Sequence, residues 1–412
     1  MRGKGVTSLE YRLALLVCAA LVTAWAVRPL IAQVRYLVTE PGTWKPWKFT
    51  AAPTARQDFA ASPADVQAFE AQLLGLNAIL KQASGVASPR GFSVETWGQL
   101  NSYKDPAPGM PAGRTLPLAG GLDFGAFAIF EYERAGKSVR SDTGETPLLL
   151  FFVNELQPWL LGRGGGSRPA EWKAVNTDAF LQPPQGGDVA GLPRYGDVLI
   201  IKKNPAPLFV PVTLEAALKI VMAANDSDLA ERRAAAVRIQ ASFEEWKSPA
   251  KRAERMAGYK QVSTMVPEGA AYVTKMEQFE KEQEMRLAAD AGPDGDSAKG
   301  IRALEQENAG IVNALAALLP ANRAAPACYA KSGTTPLQRF TRNPAPGCVP
   351  IVRPNWQFFN ASLPRSAPQV LIIDGYERCG DDKPLPPNPS GCAANRRLIE
   401  TLDQEAVLAW LK

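Results

Sequence analysis

The sequence predicts an α+β protein with an antiparallel sheet region, a helical middle built as a hairpin or bundle, and a disulfide-pinned C-terminal segment. Three observations predict this class. Apolar runs and alternating patterns fill residues 86–212, apolar residues at helical spacing dominate residues 213–319, and four cysteines fall within the last 85 residues. We expect the C-terminal region to return a strand and to pack on the α+β domain.

The 412 residues are enough for two or three domains. Changes in composition and the positions of Pro- and Gly-rich stretches predict five segments. They are a signal peptide or membrane anchor at 1–32, a Pro/Trp-rich linker at 33–61, an α+β domain at 62–212, a helical region at 213–319, and a Cys/Pro-rich C-terminal region at 320–412.

The α+β domain opens with a predicted helix over Ser62–Ser84. Ser62 can cap it, Pro63 suits its first turn, and Asp65 interacts favourably with its N-terminal dipole. The apolar stripe of this helix consists of Val66, Phe69, Leu73, Leu76 and Leu80.

Strands follow the first helix. Residues Leu122–Arg134 alternate in polarity, and Leu148–Val153 and Asp197–Lys202 are buried-type apolar runs. A hairpin turn is expected at Ala135-Gly136. Pro205, Pro207 and Pro211 are expected to close the sheet region.

Helices dominate the middle of the chain. Thr213 caps the first, whose Ala-rich part ends near Pro249, and three more are predicted at 250–265, 268–289 and 301–319. A polar linker at 290–297 separates the last two. Asn308 occupies an a-type heptad position, where a polar residue can fix the register between helices. The tail adds one clear strand, Val370–Asp374, and a last helix, Asn395–Leu411.

The N-terminal segment is typical of an export signal. Basic residues precede an uncharged apolar run, Leu13–Val27, which Arg28 and Pro29 end. Ala24-Trp25-Ala26 offers small residues for cleavage, and a second site precedes Gln33. Alternatively, Leu30–Val34 extend the apolar run past Arg28, whose side chain can snorkel to the membrane surface, and the segment is then an uncleaved anchor. Either way, the sequence predicts a periplasmic or secreted chain, with membrane contact through residues 13–34 as a further expectation.

The same segment resembles the leader junction of type IV prepilins, especially tight-adherence pilins. The resemblance rests on Gly5, after which the cut would fall, and on Glu10, which takes the assembly position, followed by Tyr11. It covers about 30 residues and departs from the family pattern at Arg12. It implies a pilus-like or secretion-apparatus component and says nothing of residue 40 onward.

The aromatic cluster around Trp44 and Trp47 allows two interpretations. Interleaved with lysines just after an export segment, it could sit at a membrane interface. The alternative, which suits a cleaved protein better, is that these rings dock on the folded body.

The chain contains no histidine. This excludes Ser-His-Asp and Cys-His catalysis within the chain, and it excludes zinc or copper sites built on imidazole. No cofactor or metal is predicted.

Cysteine usage agrees with export. Beyond Cys18, the four cysteines are Cys328, Cys348, Cys379 and Cys392. An even number in an exported chain indicates two disulfides, and three connectivities are possible. We favour the shortest loops, Cys328–Cys348 and Cys379–Cys392. Spacings of 19, 30 and 12 intervening residues do not suit a four-thiolate zinc site.

One catalytic motif in the chain requires no histidine. Ser248-Pro-Ala-Lys251 matches S-x-x-K, and Lys331-Ser-Gly333 matches the third element of the penicillin-binding enzymes, although no S-x-N element lies between them. A His-free exported serine hydrolase using Ser248 and Lys251 is therefore an alternative, although Pro249 there is also typical of a helix start.

Two acidic groups are candidates for other chemistry. Asp290, Asp294 and Asp296 could collect Ca²⁺ but lack the EF-hand order, and Asp374, Asp381 and Asp382 could serve acid–base work. We expect a solvated linker and ordinary surface charge, respectively.

Charge restricts the partners. The net charge is +5, and residues 1–32 hold four basic and one acidic residue, so the rest is nearly neutral. A nucleic-acid surface needs clustered Lys and Arg, so none is expected. The leading hypothesis is a non-catalytic envelope or secreted protein that binds an envelope protein or ligand, or takes part in assembly.

Overall fold

The computed structural model confirms the α+β class. It describes residues 34–51, 61–101, 116–144, 146–156, 168–172, 175, 177–342, 345–376 and 389–412. The predicted signal or anchor, with Gly5 and Glu10, therefore lies outside the described residues.

The strands form a seven-stranded, a five-stranded and a three-stranded sheet. In chain order they are β1 Arg35–Tyr36, β2 Lys48–Ala51, β3 Phe92–Asn101, β4 Ala119–Ala128, β5 Phe130–Arg134, β6 Lys137–Ser141, β7 Leu148–Val153, β8 Phe180–Leu181, β9 Arg194–Tyr195, β10 Val198–Lys202, β11 Phe209–Pro211, β12 Ala327–Ala330, β13 Phe340–Arg342, β14 Cys348–Pro354 and β15 Val370–Asp374.

The helices lie mostly in the middle and at the C-terminus. In chain order they are α1 Pro63–Gln82, α2 Ser84–Ala87, α3 Leu214–Lys247, α4 Pro249–Ser263, α5 Ala270–Ala291, α6 Asp296–Ala317, α7 Pro320–Arg323, α8 Pro336–Arg339, α9 Pro389–Thr401 and α10 Gln404–Trp410. Among the described residues, no helix is both long and apolar enough to span a membrane.

The central sheet has the order β2-β3-β4-β7-β15-β10-β9, and every pair in it is antiparallel except β2 with β3. Its middle strands bury both faces, which explains their uninterrupted apolar sequences. In β7, Leu149 and Phe151 face the core under α1, α9 and α10, while Leu150 and Phe152 face a second core around Trp356.

The late strand β15 completes the sheet. It pairs with β7 along one edge and with β10 along the other, as expected for a tail that returns a strand. Asn154, with φ 57°, fixes the start of β15. Its side chain donates to the carbonyls of Leu118 (3.0 Å) and Ala367 (2.9 Å) and accepts from the Gln369 amide (2.7 Å).

Two sequence predictions differ from the structure. The run 122–134 divides at the buried Ile129, because β4 belongs to the central sheet whereas β5 pairs with β1 and β6 in another. The last helix divides between α9 and α10, because the Asp403 side chain accepts a hydrogen bond from the Ala406 amide (2.9 Å) and caps a new helix.

Other predictions are confirmed. The Ser62 capping box with Asp65 opens α1, and Ala135-Gly136 forms the turn between β5 and β6. Trp44 docks on the body, where its indole donates to the Val86 carbonyl (3.0 Å) and its ring meets Phe124 edge-on.

Helices α3–α6, residues 214–317, form a helical arm inserted between β11 and β12. Its start and its return meet at the body, where the Leu214 amide donates to the Ala325 carbonyl (2.9 Å). Buried side chains of α3 are confined to Leu214–Leu229, the part nearest the body. Asn308 of α6 donates to Asp226 of α3 (3.0 Å), so the heptad position sets an intramolecular register.

A polar lock holds the distal part of the helical arm. Arg255 of α4 donates to both carboxylate oxygens of Glu280 on α5, at 2.8 to 3.1 Å, and stacks 3.9 Å from the Trp246 ring. The Tyr259 hydroxyl also donates to Glu280 (2.8 Å). Only 2% of the Glu280 side chain is exposed. These bonds hold the pKa of Glu280 below its ordinary value, with the Arg255 hydrogen bonds as the main cause.

The disulfide Cys328–Cys348 joins the neighbouring strands β12 and β14, with 5.6 Å between the Cα atoms. This is the shortest-loop pairing favoured from the sequence. Cys392 of α9 is buried and disulfide-bonded. Its expected partner, Cys379, lies outside the described residues, so that second pairing stays a prediction.

We predict that Glu280→Gln destabilises the helical arm at neutral pH but not in acid. A carboxyl whose folded pKa is depressed stabilises the fold above its unfolded pKa of about 4.3, and this contribution is lost as pH falls through the folded pKa. The difference in free energy of unfolding between wild type and variant should therefore shrink between pH 7 and pH 3. Denaturant unfolding at both values measures it. The exposed neighbour Glu277→Gln is the control, and an equal loss at both pH values would contradict the prediction.

We predict that Cys328→Ser with Cys348→Ser lowers the free energy of unfolding by about 3 kcal/mol, since the bridge closes a loop of 20 residues. A larger loss is expected when the wild type is fully reduced, because reduction also opens the disulfide of Cys392. Comparing urea unfolding of oxidised and reduced wild type with that of the variant checks this. A variant as stable as the oxidised wild type would refute it.

Candidate functional site

The S-x-x-K residues lie at the junction of α3 and α4. Ser248 ends α3 and precedes α4, while Lys251 is exposed and donates to Glu254 of the same helix (3.0 Å). Glu254 raises the pKa of Lys251, which is the opposite of what a general base at neutral pH requires. No hydrogen bond in the described structure joins Ser248 to Lys251.

The other motif element, Lys331-Ser-Gly333, lies far from Ser248. Lys331 follows β12, which starts next to the body end of α3, since the Ala327 amide donates to the Val212 carbonyl (2.8 Å). The 34 residues of α3 separate its two ends by about 50 Å. The structure therefore does not bring Lys331 together with Ser248.

The acidic candidates are dispersed. Asp294 is exposed and pairs with Arg302 (3.7 Å), and Asp290 and Asp296 are also exposed. No cluster of three or more potential metal-ligating side chains occurs in the described part of the chain. The surface charge expected of the second group is wrong for Asp374, which is buried at the end of β15. Asp381 and Asp382 lie outside the described residues.

Burial raises the pKa of three carboxyls that were not predicted from the sequence, Asp123, Glu155 and Asp178. Burial raises the pKa of Asp123 in β4 to about 6, and the Trp97 side chain hydrogen-bonds to it. Burial raises the pKa of Glu155 to about 7, with Asn101 as its hydrogen-bond donor. A lone Asp within an otherwise apolar strand was the available signal for Asp123. Burial therefore brings the pKa of Glu155 to neutral pH, whereas Asp123, with a pKa of about 6, is mainly ionised at pH 7.

A cleft with a volume of about 640 Å³ lies beside Lys202. It lies between the β9–β10 edge of the central sheet, the Pro-rich segment 203–208, β11 and α10. Its lining consists of Gln182, Gln185, Gly191, Leu192, Pro193, Tyr195, Ile200, Ile201, Lys202, Asn204, Pro205, Pro207, Leu208, Phe209, Pro211, Val352, Gln404 and Leu408.

This lining is mostly apolar and contains no carboxylate. Its polar groups are amides and one phenol, from Gln182, Gln185, Asn204, Gln404 and Tyr195, and its single charge is Lys202. Clefts of this size with a few polar groups on an apolar surface are typical of small-molecule sites.

Lys202 is half-buried and forms no ion pair in the described structure. Its ammonium donates to the carbonyls of Asn204 and Ala206, each at 2.9 Å, and lies 6.0 Å from the centre of the Phe358 ring. Burial lowers its pKa. An ammonium has three N–H donors, so one remains after the two carbonyls are satisfied.

The wall opposite the sheet is held in place by side-chain amides. Asn204 donates to the Phe358 carbonyl (2.9 Å) and accepts from the Ala206 amide (2.9 Å). Asn355 donates to the Pro207 carbonyl (2.8 Å). Pro205 and Pro207 have a restricted φ, so the cleft is formed without a ligand.

The cleft was not predicted from the sequence. Pro205, Pro207 and Pro211 were expected only to close the sheet region. The only local signal was a lysine at the end of an apolar strand directly before a Pro-rich segment. Fifteen of the eighteen lining residues lie between Gln182 and Pro211, and distant parts of the chain add only Val352, Gln404 and Leu408.

The arrangement suits binding better than bond-breaking chemistry. Its one cation is committed to two carbonyls, and no carboxylate or thiol lies in the lining to act with it. No family model, curated protein or solved structure shows significant similarity to the chain.

Proposed function

We propose that the chain is an exported, non-catalytic protein that acts by binding a small and mainly apolar molecule in the cleft beside Lys202. The observation that carries this proposal is the cleft itself: about 640 Å³, preformed, apolar and free of carboxylates. The absence of histidine and the distance between Ser248 and Lys331 support the non-catalytic part.

The cleft also has the position of a binding site. It sits where the edge of the central sheet meets a separate strand, β11, so that rigid elements surround it. Leu192, Ile200 and Leu208 are almost fully buried and give it an apolar floor. Burial of an apolar ligand there gains roughly 25 cal/mol per Å² removed from water.

Export is the second component of the proposal. It rests on the basic and apolar N-terminal segment and on the Cys328–Cys348 disulfide, which suits an oxidising compartment. A pilus-like or secretion-apparatus role remains the alternative proposal, based on Gly5 and Glu10.

We predict that Leu408→Trp weakens the binding of a neutral apolar dye, N-phenyl-1-naphthylamine, by about tenfold or more, because an indole at the cleft mouth excludes ligand volume. Leu408 is 37% exposed on α10, so the larger side chain fits the free protein. Fluorescence titration measures the dissociation constant.

Leu74→Trp is the matched control for this titration. Leu74 is 42% exposed on α1 and does not line the cleft. Saturable binding that both variants leave unchanged, or the absence of saturable binding to the wild type, would contradict the proposed site.

For export, we predict that the mature protein starts at Val27 or Gln33, because signal peptidase cuts after small residues. N-terminal sequencing of protein from the native host gives the answer. A start at Val6 would instead support the pilus-like alternative, and an intact chain in the membrane fraction would indicate an anchor. An intact chain in the soluble cytoplasm would refute export.

A further inference from the structure

We infer that the ligand of the cleft carries a carboxylate on an apolar body, and that the Lys202 ammonium binds this carboxylate. The inference rests on the proposed function and adds the ligand class. It follows from the charges, the hydrogen-bond donors and the shape of the lining.

The charge inventory favours an anion. Lys202 is the only charged group among the lining residues, and no described carboxylate lies within ion-pair distance of it. A partly buried charge without an opposite charge is costly, and a bound anion relieves this cost. By contrast, Arg339 and Arg255 elsewhere each have a carboxylate partner.

The hydrogen-bond count favours one negative charge. Two N–H donors of Lys202 are used by the carbonyls of Asn204 and Ala206, which leaves one for a ligand. A phosphate carries more charge and more acceptor oxygens, and its sites usually employ arginine or several donors. One remaining donor on one cation matches a carboxylate.

The same contacts argue against a lysine nucleophile. An amine that attacks a carbonyl needs a free lone pair. Two carbonyl acceptors at 2.9 Å instead stabilise the protonated ammonium. Lys202 is therefore suited to bind an anion rather than to form a covalent bond.

The apolar residues of the lining would contact the apolar body of the ligand. Leu192, Ile201, Leu208, Phe209 and Leu408 contribute hydrocarbon surface around the cleft. The amides of Gln182 and Gln185 supply neutral hydrogen-bond groups. An alkyl or aryl carboxylate of modest size matches both parts of this lining.

The test compares decanoate with decanol, which share a hydrocarbon chain and differ in charge. Both are titrated calorimetrically against the full chain in wild type, Lys202→Gln, Lys202→Arg and Lys203→Gln. Lys203 is the matched control, since it is adjacent and exposed and does not line the cleft. Thermal unfolding verifies that each variant is folded.

We expect the wild type to bind decanoate at least about tenfold more tightly than decanol, as a charge-assisted hydrogen bond requires. Lys202→Gln should remove this preference, while Lys202→Arg and Lys203→Gln should retain it. Equal binding of both ligands by the wild type would overturn the inference but leave the proposed cleft intact. An equal loss of decanoate affinity in Lys202→Gln and Lys203→Gln would also overturn the inference and leave the proposed cleft intact.

Failure of decanoate, decanol and the neutral dye alike to bind the wild type would overturn the proposed function together with the inference. If Lys202→Gln does not fold, the wild-type comparison of the two ligands and the Lys202→Arg titration still decide the question.

Discussion

The hydrogen bonds of one buried asparagine govern how the chain closes on itself. Asn154 follows β7, and its side chain binds backbone groups before β4 and at the start of β15. Three strands far apart in sequence are thereby aligned at one end of the central sheet. Because β15 lies between β7 and β10, both cores and the β9–β10 edge of the cleft depend on this alignment. A buried amide that satisfies several backbone groups specifies one arrangement, since any other leaves those groups unpaired.

Local signals were sufficient for much of this fold. The runs Leu148–Val153 and Val370–Asp374 had to be strands buried on both faces, and the Ser62 capping box had to start a helix. The sequence did not reveal the break at Ile129, because the alternation of polarity continues through it while the chain passes to another sheet. Nor did it reveal the short strands β12 to β14, whose pairing depends on partners elsewhere in the chain and on the Cys328–Cys348 bridge.

The candidate site was harder to predict for the same reason. Ser248 and Lys251 match a motif, but a motif reports spacing along one helix, not what the side chains meet. The cleft is formed when residues 182–211 fold around Lys202 and meet Val352, Gln404 and Leu408, and only Lys202 carries charge there. A lysine without a carboxylate neighbour is a property of three-dimensional surroundings, so no pattern in the sequence could have identified it.

The helical arm leaves and rejoins the body at hydrogen-bonded neighbours, Leu214 and Ala325. The two attachment points of the arm are therefore adjacent at the body. The length of the arm is thus independent of the register of the sheets, and lengthening or shortening it would leave the distance between its two attachment points the same. The distal part of the arm can therefore diverge from the body at a different rate during evolution, whereas Val221, Ile311 and Leu315 near its base pack in one core with Trp172 and Phe340 of the body.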